Sequence, residues 1–252
     1  MASRNTLSTG KSIVLALSLL VNIALLAGLY VLSNKFRYLY IDYRHFRSQE
    51  IGVSSATLTD STDQTLQKIV LFGDSRIETW DPLPSLDNFS ILNAGVIGET
   101  TTEMRRRFTT DVLRHTPEVV VIQAGINDLT AAATRDIPEP DALISAMHRN
   151  IEYFLSELEK SNTQVLLFSI IPTNEFNLLR KFFWSPSLGE SIEASNRKLQ
   201  ALAAKYNAQW IDVTSDYEDE NKNPRAELFA DTLHINSQGY KVLNNRLTSL
   251  LK

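Results

Sequence analysis

The sequence predicts an α/β protein with a doubly wound parallel sheet, preceded by one N-terminal transmembrane helix. Three observations support this prediction: an uncharged apolar run near the N-terminus, short apolar segments that alternate with amphipathic ones, and polar clusters where several apolar segments end. The 252 residues are 43% hydrophobic and 21% charged. This composition is typical of globular proteins.

The first element is the apolar run from Ser12 to Ser33, which has about 20 residues without a charge and is long enough to cross a bilayer. A buried core helix seldom lacks a polar face over this length. A signal-peptide cleavage site is poor here, and lipoprotein processing needs a cysteine that the chain lacks. We therefore predict an uncleaved single-pass anchor at 12–33, after an N-terminal tail at 1–11.

Residues 34–67 are predicted to be a juxtamembrane stalk and linker. The stretch YLYIDYRHFR mixes aromatic and basic side chains, so it suits either contact with anionic headgroups or a solvated helical stalk. Positive charges are slightly more numerous after the apolar run than before it, and this count favours a cytoplasmic domain. These charges are Arg4 and Lys11 before the run, and Lys35, Arg37, Arg44 and Arg47 after it.

Residues 68–252 are predicted to form the α/β domain. Buried parallel strands are expected at 69–72, 119–124, 165–170 and 210–213, with a fifth short strand at Ile91 and Leu92. Amphipathic helices are expected at 101–114, 140–160, 190–206 and 237–251. In such a sheet, ligands bind at the carboxyl ends of the strands.

Composition excludes several classes of function. With no cysteine, the chain has no disulfide, no thiolate nucleophile and no cysteine-ligated metal site. The four histidines are scattered without the spacing of metal ligands, and the net charge of -4 argues against a nucleic-acid groove.

The first strand of the domain ends in Gly73, Asp74 and Ser75, which places a serine hydroxyl where the strand turns into a helix. This is a nucleophile position, and the helix N-terminus offers N–H groups to a developing oxyanion. The alternative is an ordinary capped helix start. Gly98 and Asn127 follow the next two strands and are candidate oxyanion donors, although similar sequences also form ordinary turns.

Asp231 and His234 precede the last amphipathic helix, three residues apart. The carboxylate is placed to bond one ring nitrogen, so that the other nitrogen takes a proton from Ser75. By itself this spacing is also typical of a surface pair.

Together, these blocks resemble the SGNH hydrolases, also called GDSL-type esterases and lipases. The resemblance covers roughly residues 68–251 and is carried by FGDSRIETW, NAGVIGET, QAGIND and DTLHINSQGY. It implies a flavodoxin-like sheet, a triad of Ser75, Asp231 and His234, and an oxyanion hole formed by Ser75, Gly98 and Asn127. It also implies that the chemistry needs no metal or cofactor, and that Asp74, Asn93 and Asp128 organise loops.

The resemblance implies a serine esterase that acts on lysophospholipids, short acyl esters or O-acetyl groups through an acyl-enzyme on Ser75. An acyltransferase with the same triad and a non-catalytic membrane-tethered binding module are the alternatives. The expected partners are an ester substrate and the membrane, with no nucleic acid. Anchored members of the family favour an extracytoplasmic domain, periplasmic or at the cell surface, over the cytoplasmic placement that the charge count favours.

Two features are candidates for substrate binding. Arg76 stands where the family usually has leucine or isoleucine, so it either contacts an anionic substrate group or snorkels or pairs at the helix start. The predicted loop at 173–188 is rich in aromatic residues, including Phe183 and Trp184, and is either an acyl-binding lid or a cap on the core.

Overall fold

The computed structural model describes the backbone of residues 3–50, 57–58, 66–135 and 137–251, and the side chains of 11–36, 66–135, 137–178 and 180–251. The chain divides into two compact units, Met1–Ile51 and Gly52–Lys252. The first unit contains one long helix, and the second contains the α/β fold.

Helix α1 spans Ser3–Glu50 and includes the predicted anchor. Its stretch Lys11–Phe36 is long and apolar enough to cross a membrane, and its most apolar window contains no buried residue. The helix also takes in most of the predicted tail and the first part of the predicted stalk, because the chain has no proline before Pro82 to interrupt it. The side chains of YLYIDYRHFR lie outside the described residues, as does most of the predicted linker.

In the described residues, the second unit contains a sheet of six strands: β1 (Thr57–Leu58), β2 (Gln67–Gly73), β3 (Phe89–Gly95), β4 (Val119–Gln123), β5 (Gln164–Phe168) and β6 (Gln209–Ile211). Their order in the sheet is β1-β3-β2-β4-β5-β6. Five of these strands are parallel, and β1 runs antiparallel to its neighbour β3. The predicted doubly wound parallel sheet is thus confirmed, and β1 adds an edge strand that the sequence did not predict.

Helices cover both faces of the sheet because the strand residues alternate between two apolar clusters. Along β2, Val70 and Phe72 belong to the cluster that includes helix residues from α3, α5 and α7, whereas Ile69 and Leu71 belong to the cluster that includes α8. These helices are α3 (Thr101–Asp111), α5 (Pro140–Leu158), α7 (Leu188–Lys205) and α8 (Ser237–Leu250).

Three further helices are short: α2 (Ser75–Glu78), whose start at Ser75 was predicted, and α4 (Ile126–Ala132) and α6 (Leu178–Phe183), which were not. Each is seven residues or fewer, which is too short for an amphipathic pattern to be recognised in the sequence. Two of them begin just after β2 and β4, and the third lies within the predicted aromatic loop. The predicted helix at 101–114 is divided into α3 and a 3₁₀ turn at Leu113–His115.

The register of the central strands brings the predicted site loops to one edge. Gly73 at the end of β2 pairs with Gly95 of β3 on one side and with Gln123 of β4 on the other. A Cβ atom on Gly95 would overlap the backbone of Glu78, so only glycine permits α2 to lie this close to β3.

Candidate active site

Ser75 is the first residue of α2, directly after the turn that ends β2. Asp74 is the N-cap of this helix, and its Oδ1 accepts a hydrogen bond of 3.0 Å from the N–H of Arg76. The Ser75 side chain therefore lies at the carboxyl edge of the central strands, which is the edge where ligands bind in this fold.

The structure brings Ser75, His234 and Asp231 together in one chain of hydrogen bonds. His234 Nε2 lies 3.1 Å from Ser75 Oγ, and His234 Nδ1 lies 2.9 Å from Asp231 Oδ2. This is the arrangement of nucleophile, base and orienting carboxylate that acyl transfer requires. Ser75 and His234 are 159 residues apart in the sequence, and the fold brings them together at one edge of the sheet.

The second oxygen of Asp231 is held by the backbone. Its Oδ1 accepts from the N–H of Leu233 at 2.7 Å and from that of His234 at 2.9 Å. Partial burial of Asp231 opposes its ionisation, but the hydrogen bonds from His234 and Leu233 outweigh burial and lower its pKa to about 2. The carboxylate therefore remains an acceptor for Nδ1–H, and in the neutral tautomer that makes this bond Nε2 is able to act as a base towards Ser75.

The loop that carries the pair is folded on itself and tied to a neighbouring loop. The N–H of Ala230 donates to the carbonyl of His234 at 2.8 Å, and Asn236 caps α8 behind it. Thr232 receives a bond from the N–H of Asn174 at 2.9 Å and donates its hydroxyl to the Glu175 carbonyl at 3.1 Å. The segment after β5 therefore supports the Asp231–His234 turn.

The two other predicted oxyanion donors lie on adjacent loops. Gly98 has a φ of 76°, a left-handed conformation that favours glycine. Asn127 is buried in the first turn of α4, and its Nδ2 donates 2.9 Å to the carbonyl of Glu99, the residue after Gly98. The amide nitrogen carries two hydrogens and this bond uses one, so the other is available to a ligand.

Three polar residues that the resemblance describes as loop organisers make such contacts. Asn93 donates to the Ile77 carbonyl at 2.7 Å and accepts from the N–H of Gly95 at 2.9 Å. Asp128 accepts from both the N–H and the hydroxyl of Thr101, which fixes the start of α3. Together with the N-cap formed by Asp74, these bonds fix the loops around Ser75.

A buried cation that the sequence analysis missed joins the same loops. Arg107 of α3 donates from Nη2 to the Gly73 carbonyl at 3.0 Å and from Nη1 to the Ala94 carbonyl at 2.8 Å. Its Nε lies 2.6 Å from the Glu99 carboxylate, and Nη1 also reaches Asp111 at 3.0 Å. Arg107 therefore connects the ends of β2 and β3 to the loop that holds Gly98.

Glu99 is almost fully buried beside Arg107. Burial raises its pKa to about 7 despite the attraction of the guanidinium, and Oε1 has no hydrogen-bond partner among the described residues. The sequence carried one signal for this cluster: Arg107 and Asp111 are four residues apart and share a helical face with Met104 and Phe108.

The placement of Arg76 differs from the predicted contact with an anionic substrate group. Its side chain is 1% exposed and donates to three backbone carbonyls: Leu233 at 2.9 Å, Ile171 at 2.8 Å and Pro172 at 3.3 Å. No surface is left for a substrate to contact. Arg76 instead joins α2 to the His234 loop and to the loop after β5.

The aromatic segment after β5 also differs from a simple loop. Trp184 is 9% exposed and packs edge to face on Phe176 at 5.6 Å, and the half-buried Phe183 packs against the same core cluster. Phe182 and Leu178 of α6 are instead 66% and 88% exposed. Trp184 also lines an open cleft of about 590 Å³, whereas Phe183 does not.

The chain is similar in sequence to one family of known proteins. The profile of the GDSL-like Lipase/Acylhydrolase family matches residues 71–242. The uncharacterized lipoprotein YqeF of Bacillus subtilis (strain 168) is 30% identical over 166 residues, covering 60% of this chain and 65% of the relative. The match therefore spans slightly less than two thirds of that relative's length.

Two solved structures share the fold. A GDSL-like lipase from Bacteroides thetaiotaomicron has a TM-score of 0.61 at 20% identity, covering 73% of this chain and 87% of the other. The acetyl xylan esterase AlAXEase has a TM-score of 0.61 at 22% identity, covering 73% of this chain and 100% of the other. Because the family profile covers more than half of the chain, this protein belongs to the GDSL-like lipase/acylhydrolase family.

Proposed function

We propose that this protein is a membrane-anchored serine esterase that hydrolyses carboxylic esters through an acyl-enzyme on Ser75. The observation that carries the proposal is the chain of hydrogen bonds from Ser75 Oγ through both ring nitrogens of His234 to Asp231. Such a chain raises the nucleophilicity of a hydroxyl that is otherwise a weak nucleophile at neutral pH.

The reaction follows from these positions. His234 Nε2 takes the proton of Ser75 as Oγ attacks the ester carbonyl, while Asp231 stabilises the imidazolium. The tetrahedral oxyanion accepts hydrogen bonds from the N–H groups of Ser75 and Gly98 and from the Asn127 amide. His234 then protonates the leaving alcohol, and the acyl-enzyme forms. A water molecule deprotonated by His234 attacks the acyl-enzyme, and the acid is released as Ser75 regains its proton.

We place the substrate among lysophospholipids, short acyl esters and O-acetyl groups. The apolar stretch Lys11–Phe36 supports anchoring at a membrane, and a relative named as a lipoprotein supports it further. We assign residues 12–33 to the membrane, 34–67 to the stalk and linker, and 68–252 to the hydrolase domain, on the periplasmic side or at the cell surface. The similar acetyl xylan esterase makes O-acetyl groups a substrate class to test.

The test uses the full-length chain in a nonionic detergent with p-nitrophenyl esters from acetyl to palmitoyl. We expect Ser75→Ala to lower kcat/KM by about 10⁴-fold or more, because the nucleophile is lost. Ser191→Ala, which removes a hydroxyl bonded to the Ser187 carbonyl at the start of α7, is the matched control and keeps wild-type activity. A fluorophosphonate probe is expected to label wild type and not Ser75→Ala.

The pattern of activity identifies the substrate class. Activity confined to acetyl esters favours O-acetyl groups, and activity on long chains favours lipids. Transfer to added glycerol or sugar in preference to water would replace hydrolysis by acyl transfer on the same triad. Equal rates for wild type and Ser75→Ala, together with no fluorophosphonate labelling, would contradict the proposal and favour a binding role.

A further inference from the structure

The cleft lined by Trp184 lies beside the catalytic loop. It has a volume of about 590 Å³, which is within the range of small-molecule sites. Asn174 and Glu175 line it, and both are hydrogen-bonded to Thr232, which lies between Asp231 and His234. Two residues that line the cleft are thus hydrogen-bonded directly to the loop that carries Asp231 and His234.

A second connection runs through Arg180. Its guanidinium lies 5.0 Å from the ring centre of Trp184, and Nη1 lies 3.7 Å from Asp231 Oδ1. Trp184, which lines the cleft together with Phe176, is therefore connected to Asp231 through the single side chain of Arg180. Both connections place the cleft next to the loop that carries Asp231 and His234.

The cleft carries positive charge in an acidic protein. Arg135 and Lys181 line it and are exposed, and neither side chain has a hydrogen-bond or ion-pair partner among the residues that the structure describes. Glu175 is the only acidic side chain described in its lining, whereas the whole chain has a net charge of -4. Two exposed cations and two aromatic rings in one cleft are suited to an anionic group attached to an apolar or sugar-like body.

We propose that this cleft binds an anionic group, a phosphate or a carboxylate, on the alcohol side of the ester that Ser75 cleaves. Arg135 and Lys181 bind the anion, and Trp184 with Phe176 packs against the part of the substrate between the anion and the ester. The inference depends on the proposed esterase function and adds that the substrate carries a negative charge. It also transfers the anion contact from the buried Arg76 to two exposed cations.

The test compares two pairs of esters that differ only in the anion. The lipid pair is lauroyl glycerol phosphate and monolauroyl glycerol, and the sugar pair is O-acetylated galacturonate and O-acetylated galactose. For at least one pair, we expect the full-length enzyme in nonionic detergent to have a kcat/KM roughly tenfold higher for the anionic ester. The pair that shows this preference tells whether the anion belongs to a lipid headgroup or to an acidic sugar.

The charge variants make the test specific. In Arg135→Gln/Lys181→Gln, we expect the ratio of kcat/KM for anionic over neutral ester to fall to about one, because the charge-assisted hydrogen bonds are lost. The matched control is Arg114→Gln/Lys198→Gln, which removes one arginine and one lysine charge outside the cleft and keeps the wild-type ratio. The comparison of ratios also corrects for any difference in the amount of folded enzyme.

The two proposals fail in different ways. Ser75-dependent hydrolysis with no preference for either anionic ester, or with a preference that the cleft variant retains, overturns the anion site and leaves the esterase intact. Absence of Ser75-dependent hydrolysis for all four esters and for the p-nitrophenyl series overturns the esterase itself.

Discussion

The two halves of the active site are held in different ways. The loops around Ser75 and Gly98 are fixed by hydrogen bonds from Arg107, whose side chain is 3% exposed. Asp231 and His234 instead have side chains that are 47% and 37% exposed, and the hydrogen bonds that hold the Asp231 carboxylate come from within their own turn. Oxyanion donors must not move during the reaction, whereas the base must meet the water that releases the acid.

The carboxylates in the two halves show the same contrast. Burial raises the pKa of Glu99 to about 7, whereas hydrogen bonds lower that of Asp231 to about 2. Asp231 therefore stays ionised throughout the range in which a histidine base works, while Glu99 titrates within that range. Burial of Glu99 therefore lowers the free energy of unfolding by an amount that changes with pH in this range, whereas Asp231 makes no such pH-dependent contribution there.

Removal of the base is the most severe way to break the exposed half. We expect His234→Ala to lower kcat/KM by about 10⁴-fold or more, because no other described group lies within hydrogen-bond reach to take the Ser75 proton. The unfolding midpoint in urea is expected to stay near that of wild type, since the turn is fixed mainly by backbone bonds. His115→Ala is the control, and a similar loss of activity in that variant would contradict the assignment.

Removal of the buried cation tests the other half. We expect Arg107→Met to lower the free energy of unfolding by about 3–5 kcal/mol, because Glu99 and Asp111 are left buried without their partner. We also expect kcat to fall, since Gly98 loses its support. Arg106→Met, an exposed neighbour on the same helix, is the control in urea unfolding and ester hydrolysis. A loss of less than about 1 kcal/mol in the free energy of unfolding, with unchanged kcat, would show that the loops around Ser75 and Gly98 keep their conformation without Arg107.

The pH dependence of stability gives the smallest and most specific contrast. Because the pKa of Glu99 is raised from 4.5 to about 7, the folded state binds its proton more tightly than the unfolded state does. The sign of this linkage means that stability falls as pH rises from about 4.5 to about 7 and changes little above that.

The expected result is a change in this slope when Glu99 is replaced. From pH 5 to pH 8, the free energy of unfolding of Glu99→Gln, measured in urea, is expected to rise by up to about 3 kcal/mol relative to that of wild type. Glu190→Gln, an exposed carboxylate on α7, is the control and should run parallel to wild type. Parallel curves for Glu99→Gln and wild type would show that Glu99 stays ionised across this range.

The sequence was most informative where chemistry follows the end of a strand. Ser75, Gly98 and Asn127 were predicted because each comes shortly after an apolar run, and parallel strands end at the same edge of a sheet. The Asp231–His234 pair was predicted because the two residues are three positions apart, so that a single turn brings their side chains together. The structure brings the three triad residues together, and it connects Gly98 and Asn127 through Glu99.

The sequence was least informative about arginines, because their direction depends on distant residues. Arg76 follows Ser75 and was considered a substrate contact, yet its acceptors are Ile171, 95 residues away, and Leu233, 157 residues away. Arg107 was not singled out at all, because its acceptor at Gly73 lies 34 residues before it. No local pattern distinguishes these buried guanidiniums from the exposed Arg106 between them.

The sequence by itself determined the apolar N-terminal helix, the alternation of strands and helices, and the order of the reactive blocks, because each depends on neighbours along the chain. Only the tertiary structure decided which polar groups are sealed in the core and which face the cleft. Burial and long-range hydrogen bonds depend on residues that meet only after the sheet has formed. For this reason Arg76 and Arg107 belong to the frame of the active site, while Arg135 and Lys181 remain available to a ligand.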